Sequence, residues 1–101
     1  MDVRVAKCVL LTKVLAADGI ITENERSVLD RVIAREALGE RERAAIQNPD
    51  EWIGAEATIA SLPEDERRAV LGELVEAASA DGRLSPLEAA MLKQITAALA
   101  L

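Results

Sequence analysis

A chain of 101 residues has room for one hydrophobic core and is too short for two. Half of it is apolar, but Trp52 is the sole aromatic residue, so Ala, Leu, Ile and Val must fill that core. Eighteen Asp and Glu against twelve Lys and Arg leave a net charge of −6, which opposes non-specific nucleic-acid binding, while a single cysteine rules out an intramolecular disulfide and suits a reducing compartment.

The predicted elements are all helical, because Ala, Leu, Glu and Arg dominate the composition. The first helix runs from about Val3 to Ala17, with Leu10, Leu11, Val14 and Leu15 at helical spacing. Arg4 and Lys7 ahead of Cys8-Val9-Leu10-Leu11 weakly imitate a secretory signal, but Lys13 interrupts the apolar stretch. Asp18-Gly19 ends this helix, since glycine readily takes the left-handed conformation of a helix C-terminus. Thr22 then caps a second helix, with Glu25 three residues on as its capping-box partner. Val28, Leu29, Val32 and Ile33 form its apolar stripe, and Leu38-Gly39 reads as its stop.

Glu40 to Gln47 reads as a short helix stopping at Asn48-Pro49. Asp50 is expected to cap another short helix to about Ala60, with Trp52 as the anchor that docks this middle region. Pro63, Glu64 and Asp65 open a long helix through Val70, Leu71, Leu74 and Val75 to Ala80, acids in its first turn complementing the helix dipole. Ser85-Pro86-Leu87-Glu88 is a second capping box, with proline where no N–H is needed. It opens a final helix carrying Leu87, Met91, Leu92, Ile95 and Leu99. The expected architecture is therefore all-α: one compact bundle of about six helices spanning residues 1–101.

The two halves repeat each other. A shift of 63 positions, from Asp18 to Asp81, superposes Ala17, Asp18, Gly19 and Glu25 on Ala80, Asp81, Gly82 and Glu88. Ile21 pairs with Leu84, Thr22 with Ser85, and the apolar matches Leu11/Leu74, Leu29/Leu92 and Val32/Ile95 extend the register outward. The unit is helix–DGx[IL][ST]xxE–helix, covering about 3–38 and again about 64–100.

DGx[IL][ST]xxE matches the second half of an EF-hand calcium loop, in which an acid, a glycine, an apolar residue and a final glutamate each have a physical task. The first half is missing: Val14 and Ala16, then Ala77 and Ser79, occupy the first and third ligand places. Neither loop alone supplies the six to eight oxygens that calcium takes. Pooled across a pseudo-two-fold, Asp18, Glu25, Asp81 and Glu88 could hold one hard cation such as Ca²⁺ or Mg²⁺, and the lack of histidine argues against structural zinc. A structural reading competes, since both glutamates serve as capping residues and Asp-Gly is ordinary turn chemistry; the aspartates have the weaker structural explanation. Catalysis lacks its usual parts, with no His, no Tyr and no Gly-rich phosphate loop. Cys8 falls on the edge of an apolar stripe and reads as a packed thiol. Arg41 with Arg43, and Arg67 with Arg68, are flanked by acids and read as solvated helix faces.

Leu-Ala-Ala-Asp-Gly-Ile-Ile-Thr-Glu-Asn-Glu at 15–25 and Ala-Ser-Ala-Asp-Gly-Arg-Leu-Ser-Pro-Leu-Glu at 78–88 resemble the paired signature of TerB-like (tellurite-resistance) domains, across essentially the whole chain. The resemblance implies a compact helical bundle of bacterial tellurite-resistance and stress-response systems, which also occurs at the N-terminus of a membrane-anchored J-domain co-chaperone. It further implies an adaptor or sensing role, with a metal proposed at the acidic positions, here Asp18, Glu25, Asp81 and Glu88. The first predicted helix begins almost at Met1, so any helix that precedes the first repeat in fuller members is expected to be missing. Together these readings predict a non-enzymatic, cytoplasmic interaction domain tuned by a divalent cation. Its partners would be proteins, including membrane-associated stress-response components, with no nucleic acid and no membrane insertion. The alternative is a purely structural assembly domain without metal, a homodimer through the Ala-rich last helix (Ala89, Ala90, Ala97, Ala98, Ala100).

Overall fold

The computed structural model describes residues 1–80, 82 and 84–101. Among these, six α-helices follow one another: α1 (Val3–Leu15), α2 (Glu23–Arg35), α3 (Glu40–Gln47), α4 (Ala55–Ala60), α5 (Glu64–Ala78) and α6 (Pro86–Ala98), with a 3₁₀ turn at Pro49–Glu51 between α3 and α4. The first helix is the axis of the molecule. Every residue from Val5 to Leu15 is buried except Lys7 and Lys13, which are half-buried, and α1 packs on all five other helices. A helix that is apolar on all sides belongs inside a core. This placement explains why the segment imitates a secretory signal.

The few polar groups on α1 all find partners, as burial demands. Thr12 Oγ1 donates to the Cys8 carbonyl at 2.8 Å. The Lys7 ammonium pairs with Glu36 and, at 2.9 Å, with Glu73, joining α1 to the end of α2 and to α5. Burial opposes the charged ammonium, but the two carboxylates more than offset it and hold the Lys7 pKa above its usual value. Lys13 reaches Glu56 of α4 at 2.5 Å.

Cys8 is fully buried, and burial, reinforced by the nearby Glu36 carboxylate, pushes its thiol up to about 11. At pH 8 only about one thiol in a thousand is then ionised, and the thiolate is the reactive form. Iodoacetamide is expected to leave the native protein unlabelled and to alkylate one thiol after denaturation. Rapid native labelling would contradict this packing.

Both repeat turns are built alike. Gly19 (φ 90°) and Gly82 (φ 80°) adopt left-handed backbone, where a side chain would be strained. Each glycine N–H donates to the carbonyl three residues back, Ala16 or Ser79, at 2.9 Å. The preceding helices therefore stop at Leu15 and Ala78, two residues before the predicted ends, as the turn absorbs Ala16-Ala17 and Ser79-Ala80.

Two local expectations need correction. The end of α2 is made by Ala37, at φ 55°, and Gly39 instead precedes α3 as its N-cap. Turning earlier lets Leu38, 5% exposed, dip into the core. Asp50 does not cap α4. Asn48 Oδ1 accepts from the Asp50 N–H at 3.2 Å and so caps the 3₁₀ turn, while α4 starts after left-handed Gly54. Trp52 does dock this region: half-buried against the core, its Nε1–H donates to the Ile46 carbonyl at 2.8 Å. The buried apolar residues of all six helices form one continuous cluster.

Candidate functional site

The two capping boxes place the candidate site. Thr22 Oγ1 accepts from the Glu25 N–H at 3.2 Å, and Glu25 Oε1 accepts from the Thr22 N–H at 2.9 Å. In the second repeat, Ser85 Oγ accepts from the Glu88 N–H at 3.1 Å and Glu88 Oε1 accepts from the Ser85 N–H, also at 3.1 Å. Each reciprocal pair satisfies two otherwise orphaned helix-end donors. It also fixes the glutamate against its own helix rather than leaving it free in solvent. Glu25 is 9% exposed and Glu88 5%.

The two glutamates converge. Their side chains approach within hydrogen-bonding range of each other, across a depression of about 520 Å³ lined by Asp18, Thr22, Glu25, Leu84, Ser85 and Glu88. Each Oε1 is committed to its cap, whereas Glu88 Oε2 is buried without a hydrogen-bond partner. Burial raises the Glu88 pKa; hydrogen bonds from the Ser85 N–H and hydroxyl pull the other way, and the Glu25 carboxylate adds to the rise. A neighbouring like charge and burial both disfavour the anionic form of Glu88.

The four sequence candidates fare differently. Glu25 and Glu88 meet. Asp18 lies on the rim of the same depression but is exposed, and its Oδ1 accepts from the Ile20 N–H at 3.2 Å. This Asx turn supplies the structural explanation that the residue lacked in sequence. Asp81, and with it the Asp18–Asp81 separation, lies outside the described residues. Among the described residues, no group of three or more His, Cys, Asp or Glu side chains is arranged to hold a metal ion. The described geometry supplies a buried carboxylate pair with a third carboxylate at its rim, rather than a four-carboxylate cage.

In the sequence all four acids are candidates, but the glutamates already have a capping role and only the aspartates have the weaker structural explanation. The signal for the inward glutamates was present: Glu25 and Glu88 stand one turn before Leu29 and Leu92, both core residues, and positions i and i+4 share a helix face.

The family model described as tellurite resistance protein TerB matches residues 4–101. The chain belongs to the TerB family. Its all-helical architecture agrees with that membership, since TerB is a helical domain. The match spans both repeat units and both capping boxes, so the glutamate pair lies wholly inside the TerB domain. No curated protein and no solved structure matches the chain significantly. No helix among the described residues is long and apolar enough to cross a membrane.

Proposed function

We propose that this TerB-family chain is a non-enzymatic adaptor domain of the tellurite-resistance and stress-response type, acting on protein partners in the cytoplasm and tuned by a divalent cation. The observation that carries the cation is the contact between Glu25 and Glu88, with Glu88 Oε2 buried and unpartnered. These two carboxylates would hold the ion, with Asp18 at the rim. Two or three carboxylates suit Mg²⁺, which keeps several of its waters, better than an all-protein calcium cage. The ion would supply charge neutralisation and nothing else. Because Glu25 opens α2 and Glu88 opens α6, neutralising the pair stabilises one angle between those helices, and a partner surface that includes them changes with it.

Isothermal titration with MgCl₂ and with CaCl₂, beside the Glu25→Gln/Glu88→Gln variant, tests the ion. Saturable binding to the wild type that disappears in the variant is expected; no heat and no thermal shift with either salt would remove the cation from the mechanism. Pull-down with Mg²⁺ or with EDTA tests the adaptor role, and partner recovery unchanged by chelation would separate the two.

A further inference from the structure

Between α2 and α5 the packing is sparse, and an open groove lies along the two helices. It consists of two adjoining depressions of about 370 and 270 Å³ that share Val28, Arg31, Ala77 and Ala80. On α2 its lining runs from Asn24 to Arg35, about 16 Å at 1.5 Å per residue. The helices are antiparallel, for the Asn24 end faces Ala78 and Ala80 while the Arg35 end faces Glu73. The two walls carry opposite charge. Arg31 and Arg35, one turn apart on α2, are exposed and make no ion pair among the described residues. Glu73 and Glu76 line the α5 side. The floor is apolar and small, built from Val28, Val32 and Ala77.

We propose that this groove is the contact face of a two-fold dimer in which α2 of each copy lies over α5 of the other. The charge pattern selects both the occupant and the symmetry. With the two-fold axis along the groove, Arg31 and Arg35 meet the acidic wall of the second copy, and the reverse contact follows automatically. An axis across the groove would place arginine on arginine. A second copy is therefore the occupant whose complementary charges the structure itself supplies. The four helices close as a bundle, the small floor residues allowing close approach. A face of only two helices per copy is expected to bury less than the roughly 1,600 Å² of a standard interface, so the dimer is weak and forms at high concentration. The charge pattern of the walls carries the dimer without the cation, although Glu25 lines one end of the groove. It also relocates self-association from the alanine-rich outer face of α6, whose only charged exposed residue is Lys93 and which has no such complementarity.

Sedimentation velocity over a concentration series reaching the order of 1 mM, which corresponds to a binding free energy of about −4 kcal/mol, tests it with Arg31→Glu and Glu76→Arg. Both positions are exposed, and unchanged thermal melts check that each variant folds. The wild type is expected to dimerise as concentration rises, each variant to stay monomeric, and an equimolar mixture of the two to recover a heterodimer, because each mutated wall then meets its opposite. A wild type that is monomeric throughout, variants that dimerise like the wild type, or a mixture that stays monomeric would each overturn the proposal.

Discussion

Leu10→Ala is expected to lower the unfolding free energy by about 3–5 kcal/mol. Leu10 is fully buried at the centre of α1, where neighbours arrive from every side and cannot collapse into the space left behind. Truncating a buried leucine costs the lost transfer energy plus a cavity penalty, within the range of about 2.7–5 kcal/mol seen for such sites. A domain of this size has roughly 5–15 kcal/mol in total, and each 1 kcal/mol moves its melting point by about 4–8 °C. A fall of at least about 12 °C should therefore appear in a thermal melt. Leu87→Ala is the control, because Leu87 is 55% exposed and a surface truncation stays within about 0.5 kcal/mol. Equal effects at the two positions would contradict the placement of α1 at the core.

Glu88→Gln is expected to have opposite effects on the free and the cation-bound protein. Glutamine keeps an oxygen for the Ser85 N–H but removes a buried negative charge facing Glu25. Without divalent ions, the variant should melt higher than the wild type at pH 7, because burial and Glu25 both disfavour the ionised Glu88. The pH dependence follows from the same shift. A carboxyl group whose pKa is raised on folding binds more protons in the native than in the unfolded state. Its contribution is fully present below the unfolded glutamate pKa and is lost as pH rises through the folded value. In EDTA, the wild type should thus gain stability as pH falls into the window just above the ordinary glutamate range, and Glu88→Gln should lack that component. With Mg²⁺ present the order reverses, since the variant loses one of two anchoring carboxylates and binds at least about tenfold more weakly, or about 1.4 kcal/mol. A variant that melts lower than the wild type in EDTA would show that Glu88 is held as a favourable anion instead.

Much of the fold was legible because its signals are local. Thr22 with Glu25 and Ser85 with Glu88 are four-residue patterns whose hydrogen bonds close within one helical turn, and both boxes form as read. Gly19 and Gly82 announce their turns because few other residues accept that backbone. The signals that failed were also local but were outweighed by packing. Leu38 is drawn into the core, so Ala37 accepts a left-handed conformation that propensity disfavours, and Gly39 is released from the role of helix stop. The candidate site was legible only in part. Which acids meet depends on how one repeat docks on the other, and no spacing within either repeat encodes that. Asp18 looked free because its Asx turn uses a backbone N–H, which sequence does not display. The burial of Lys7 between Glu36 and Glu73, 29 and 66 positions away in the chain, is likewise a consequence of tertiary packing.

On the proposed function, the capping glutamates of the two repeats form one cation-responsive centre. Its most direct test is a titration of MgCl₂ into chelator-treated protein, followed by the side-chain carboxyl ¹³C resonances of Glu25 and Glu88. Both resonances are predicted to move together and saturate at a single stoichiometric point, while those of exposed Glu64 and Glu66 follow ionic strength alone. Glu25 and Glu88 resonances that drift with salt like the exposed glutamates, or that respond independently of each other, would contradict it.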